Sequence, residues 1–403
     1  MDADYVGKLE RGVHRWPNKG YRDALRAALN AATDRELGFF STRSRAATVE
    51  TSPRYREGGD DVERQAFLRV LAGSVASLTF TDPLAEFAAR TAGGSSRQVG
   101  QADVEQVRQL ARMFATQDHQ YGGQLSSRAV ITQLAATAEL TDGPFANSGV
   151  RTQWFSAVAE LADTAAGVCF DAGLHTHAER AFRFGVGCAT ESGDWAMRAK
   201  TLSGLANLSV HLDRTDDALS FAEAALVRAD RLTPKVGAMM HTRHARALGL
   251  VGASRSQDCR TAVAKAEDLF TTASDDEPVW LSHYSQAHLD RDTGRALLYL
   301  ALNGGAHEEA QHRLQTAVAG FPEGHSRGKA LAKANLAALM MARDDPHEAV
   351  TLGNDALASV GSVRSDRVND ALTRLADAAR GHRDVPGVRD LATRVRRTVR
   401  AQT

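Results

Sequence analysis

A chain of 403 residues with 49 basic and 49 acidic side chains carries no net charge, and so no global attraction to a polyanion. Hydrophobic residues make up 43%, enough for a large core, while aromatics reach only 6% and there are nine prolines; with Ala, Leu and Arg dominant, an all-α fold is expected. Three widely spaced cysteines without a Cys-x-x-Cys pair argue against a disulfide framework or a zinc centre, and the absence of an apolar signal region or of an apolar run of ~18 residues predicts a cytoplasmic protein with no membrane span, no metal and no cofactor.

From the start of the chain, residues 1–40 read as two short helices around a turn. The first covers about Asp4 to Arg11 and stops at Gly12. "VHRWPNKG" makes the turn, and a second helix, about Tyr21 to Ala31, sets Tyr21, Leu25 and Leu29 on one face. Residues 41–62 lack periodicity and carry Ser, Thr, Pro and a Gly-Gly pair, which predicts a linker. Helices are expected at about 63–78, 82–92, 102–118 and 126–140, making 63–150 a connecting helical region. The Gly122–Gly123 pair between the last two is expected to be a turn.

From residue 151 to the end the pattern repeats. A small residue opens the second helix of each expected hairpin: Ala178, Ala218, Cys259, Ala310 and Ala349, spaced by 40, 41, 51 and 39 residues. Each follows a turn cluster ("DAGLH", "LDRTD", "GASRS", "NGGAH", "RDDPH"). A small side chain suits the place where two helices of a hairpin approach closely. Five or six hairpins fit between 151 and 403. This arrangement resembles degenerate tetratricopeptide repeats, which implies a right-handed α-solenoid; an ordinary helical bundle is the alternative.

The N-terminal "DADYVGKLERG", followed by a Trp-Pro turn and "YRDALRAALNA", resembles the recognition helix onward of the Cro/C1 helix-turn-helix family. The resemblance implies that Ala3, Asp4, Gly7 and Lys8 face the major groove. Arg11, His14, Arg15 and Lys19 would hold phosphates, while Tyr5, Val6 and Leu9 pack inward against Leu25 and Leu29. The helices that precede the recognition helix in that family are missing from the sequence, so weak, non-specific DNA binding is expected of this chain. The whole layout is similar to actinobacterial regulators with this domain in front and a tetratricopeptide-like array behind. That implies a homodimeric transcriptional regulator whose array senses a peptide, a small molecule or a protein partner. A peptide- or protein-binding scaffold without DNA activity is the second expectation.

In such arrays the first helix of each hairpin forms the inner surface. Positions near i, i+3, i+7 and i+11 select Glu160, Asp163, Gly167 and Asp171; Lys200, Ser203, Asn207 and His211; His241, His244, Leu248 and Gly252; and Asp292, Arg295, Tyr299 and Asn303. The polar members form the expected ligand track. Asn207 stands out, because Asn is a poor mid-helix residue unless its amide is used. Trp280, His283, Tyr284 and His288 form a second polar-aromatic group, assigned to the core between repeats.

Catalytic motifs are not evident, and no enzyme is expected. "HEEAQH" puts His307 and His312 five residues apart, on different faces of a helix, unlike the zinc-protease spacing. "HTRH" sets His241 and His244 on one face, but no third ligand is apparent.

Overall fold

A computed structural model describes residues 98–403 apart from 122, 124–125, 275, 323–324, 361–364 and 403. The expected DNA-facing residues Ala3, Asp4, Lys8, Arg11, Arg15 and Lys19, the linker 41–62 and the helices at 63–78 and 82–92 lie outside the described residues. Fourteen α-helices account for most of the described chain, which has no β-strand; one isolated parallel bridge joins Val99 to Phe145. No helix among the described residues is long and apolar enough to cross a membrane.

Helices α1 (Gln101–Tyr121) and α2 (Ser127–Glu139) pack on the first hairpin of a continuous array. That hairpin is α3 (Ser148–Asp171) and α4 (His175–Ser192). It is followed by α5 (Trp195–His211) with α6 (Thr215–Ala225), and α7 (Pro234–Val251) with α8 (Ser256–Thr271). Then come α9 (Gln286–Leu302) with α10 (Glu308–Gly320), α11 (Ser326–Arg343) with α12 (Pro346–Val360), and α13 (Asp366–Ala378) with α14 (Val388–Gln402). Within each pair the helices touch, and each first helix also touches the first helix of the next pair.

Local chemistry sets these boundaries. The array opens at Ser148, because the Asn147 side chain accepts the Val150 amide (2.9 Å) and caps α3. Asp194 caps α5 in the same way through Met197 N (2.9 Å). Each of the first four hairpins reverses through a residue with left-handed backbone: Gly173 (φ 73°), Asp213 (φ 55°), Gly252 (φ 97°) and Gly304 (φ 95°). Past each turn, Ala178, Ala218, Cys259, Ala310 and Ala349 are all fully buried where the two helices meet. A larger side chain there would force the pair apart, at about 1–3 kcal/mol. Gly123, by contrast, sits so close to α3 that a Cβ would lie 2.0 Å from the Val168 carbonyl oxygen.

The array closes on itself. The first helix of the last hairpin, α13, touches α3, and α11 touches α1. The seam is ionic. The fully buried Asp171 carboxylate accepts from Ser365 Oγ (2.6 Å), from Arg367 Nε (2.7 Å) and from Arg327 Nη1. Arg327 Nη1 also reaches Asp118 Oδ2 (2.6 Å), and Arg367 lies over the Phe170 ring at 5.3 Å. Asp171 was expected on an open inner track; it is instead the hub of this seam.

Candidate functional site

Closure turns the inner faces of the first helices toward one another and leaves a polar cavity of about 510 Å³. That volume is in the range of small-molecule sites. Glu160, Asp163, Lys200, Ser203 and Asn207 line it, as the sequence predicts. Gly167, Arg112, Asp118, Phe182, Met239, Arg243, Arg327 and Arg367 also line it, together with Val279, Trp280 and His283 from the segment before α9. Lys200 Nζ pairs with Asp163 Oδ2 (2.9 Å) and sits over the Trp280 ring at 4.7 Å. The Ser203 hydroxyl donates to the Lys200 carbonyl (2.7 Å). Val279 is 69% exposed, an apolar side chain open to solvent on a wall that mixes polar and apolar groups.

Burial sets the charge state of this lining. It pushes Glu160 upward against the pull of Lys200 and Arg112, and raises Asp118 despite Arg327. Burial, reinforced by Lys200 and Arg291, takes His283 down to about 4, so its imidazole is neutral at neutral pH. The wall thus offers an ammonium, guanidiniums, an amide and a neutral imidazole beside carboxyls of raised pKa. These are groups that recognise a polar ligand.

Other expected positions go elsewhere. His241 and His244 leave the inner face, and Arg243 and Arg246 take their place. The connector between α7 and α8 has four residues against three between α5 and α6, and Arg246 lies one place further from the end of its helix than Asn207 does. Asn207 precedes Ala218 by eleven residues, whereas Arg246 precedes Cys259 by thirteen. Counting back by a constant number therefore misses by two residues, about 200° around the helix. His241 is lowered to about 4 by burial, with His244 and Lys265 nearby; His244 is also lowered by burial, near Glu223, Arg255 and Asp258. Asp292 is fully buried behind the wall, bonded to Arg243 Nη1 (3.0 Å) and Arg291 Nη2 (2.7 Å). The second aromatic group divides: Tyr284 and His288 are buried in the core as expected, whereas Trp280 and His283 face the cavity.

Next to the cavity lies a cluster of arginines. Asn207 Oδ1 accepts from Arg246 Nη1 (2.8 Å), and Arg246 Nη2 donates to Tyr299 OH (3.3 Å). The Asn207 amide oxygen is thus engaged within the chain, where the sequence expected the amide to serve a ligand. Arg374 from α13 lies 5.5 Å from the Tyr299 ring centroid and donates to Asp370 (2.8 Å). Arg295 is buried beside them. Arg243, Arg246, Arg327, Arg367 and Arg374 carry no sequence signal beyond an arginine on a helix; only closure of the array assembles them.

His211 leaves the cavity for the seam. His175 Nε2 (2.8 Å) and His211 Nε2 (3.1 Å) both meet Asp366 Oδ2, with Asp370 3.8 Å from His211 Nδ1. The three ligand atoms lie within 4.8 Å of one another, a set able to hold a divalent cation. Burial opposes charge on His211, yet the two carboxylates push its pKa up to about 9. At neutral pH a cation would have to displace the proton that the two carboxylates favour on His211.

Comparison with protein-family models, with curated proteins and with solved structures finds no match to this chain.

Proposed function

We propose that the chain is a ligand-responsive transcriptional regulator, cytoplasmic and homodimeric, in which a tetratricopeptide-like array takes a polar ligand into its inner cavity. The ligand would govern a helix-turn-helix carried by the N-terminal stretch. The observation that supports this most directly is the cavity itself. It is built from the inner positions of successive first helices, where the resemblance puts a sensor's ligand. Its mixed ammonium, amide and carboxyl lining suits a small polar molecule or the backbone of an extended peptide.

The test has two arms. Screening metabolites and peptides by thermal shift and by Trp280 fluorescence should yield a binder whose affinity falls by about tenfold or more in Lys200→Met or Asn207→Ala. A binder indifferent to both changes would remove the cavity from consideration. Chromatin immunoprecipitation of the protein expressed from its own locus should enrich discrete promoters in a ligand-dependent way. A ligand bound in the cavity without any enriched promoter would favour the other reading, a binding scaffold without DNA activity.

A further inference from the structure

The inner face of α7, α9 and α13 gathers three guanidiniums, those of Arg246, Arg295 and Arg374, around one phenol, Tyr299. Arg295 is 6% exposed and Arg246 4% exposed. Among the described residues Arg295 makes no hydrogen bond and no ion pair, and the buried Nε atoms of Arg246 and Arg295 and the buried Nη1 of Arg374 have no partner.

The acids within reach are already engaged. Asp292, one turn before Arg295 on the same helix, is bonded to Arg243 and Arg291. Asp370 serves Arg374 and lies against His211. Asp213 adds only a more distant charge beside Arg374. Asn207 gives Arg246 a neutral acceptor, and the Tyr299 hydroxyl, its pKa brought down to about 7, supplies at most part of one negative charge to three guanidiniums at neutral pH. Removing a guanidinium from water without a counter-charge costs several kcal/mol, and Arg does not shed its proton readily enough to escape that cost.

We propose that this cluster is an oxyanion site, which takes the carboxylate or phosphate group of a small ligand between Arg246, Arg295 and Arg374. Three helices bring guanidiniums with unpartnered N–H groups close enough to act on one another and on Tyr299, and the planar fork of Arg matches both kinds of group. The proposal names the chemistry of the ligand in the sensor reading and rests on that reading only for its biological role. Anion binding requires nothing of the N-terminal stretch.

Tyr299 supplies a built-in readout. Burial alone would raise its pKa, but Arg246, Arg374 and Arg295 together bring it down to about 7. An anion among the guanidiniums offsets their pull and disfavours the phenolate, so occupancy should move this pKa upward. The full-length protein is titrated by phenolate absorbance in a buffer free of chloride and phosphate, then with inorganic phosphate, with succinate, and with chloride as a control; Tyr299→Phe assigns the step.

The expected result is one phenol titrating near neutrality whose midpoint rises by about one pH unit or more with phosphate or succinate. Calorimetry should give one site per chain, and Arg295→Met should weaken it at least about tenfold. Whichever anion acts identifies the group as phosphate or carboxylate. No midpoint shift and no binding heat from either oxyanion at tens of millimolar, or a shift produced equally by chloride, would overturn the proposal. The wild-type titration decides even if Arg295→Met does not fold. Promoter binding that responds to an uncharged ligand would leave the sensor reading standing and remove only the oxyanion.

Discussion

Replacing Asp171 with Asn should open the seam. The carboxylate is fully buried and serves Arg327, Arg367 and Ser365 at once. Asn keeps one acceptor, enough for Ser365 Oγ and Arg367 Nε, but sets an NH₂ group against the Nη atoms of both arginines. Removing one partner of a buried pair costs about 3–5 kcal/mol. Arg327 still has Asp118, and the Asn oxygen is retained, so the lower end applies. A loss of about 3 kcal/mol is roughly a hundredfold change in an opening equilibrium.

Because stacked arrays unfold piecewise, the informative assay is hydrogen exchange by mass spectrometry on Asp366–Ala378, not a single melting temperature. Exchange there should speed up by about that factor, with little change in α7 and α8. Burial would raise the Asp171 pKa, but Arg327 and Arg367 hold it below the usual carboxylate range. The stabilisation is therefore present above its unfolded pKa near 3.8 and is lost as pH falls through the folded value, so wild type should approach the variant in acid. Exchange in α13 within about threefold of wild type at neutral pH would refute the ionic seam.

Three further outcomes follow from other contacts. His211 titrates at about 9 against an unfolded 6.5, so its contribution is complete below 6.5 and is lost as pH rises through 9. His211→Gln should flatten the alkaline fall in denaturation midpoint, and an unchanged fall would refute its assignment. At Gly249 a Cβ would stand 2.4 Å from the Ala296 carbonyl oxygen, so Gly249→Ala should destabilise by at least about 1–3 kcal/mol in urea melts. Cys169 and Cys259, both buried and pushed up to about 12 by that burial, should resist a disulfide-exchange reagent in the native state; their labelling should follow unfolding instead.

The hairpin rhythm was legible because it rests on a local rule. A helix pair needs a small residue at its close contact, and Ala178, Ala218, Cys259, Ala310 and Ala349 all fall there. The inner face was legible where the connector between a hairpin's helices has constant length, which is why Lys200, Ser203 and Asn207 lie where expected. It failed at His241 and His244, where the spacing between the inward residue and the small residue grows by two. The burial of Asp292 and Arg295 was not legible. Polar residues on an inner face imply water when hairpins are taken singly, whereas Asp292 is paired by Arg243 from the hairpin before it, and Arg246 and Arg374, whose charges act on Arg295, come from two other hairpins.

An open coil yields to a load by changing its pitch, each unit turning a little against the next. A coil whose last turn is bonded to its first has lost that freedom and behaves as a hoop. A displacement of any one hairpin must then be shared by all the others or released where the hoop is joined. A molecule that wedges α5 from α7 therefore strains the contacts of Asp171 and Asp366 without touching either. The distance between α3 and α13 becomes a gauge of what the interior holds.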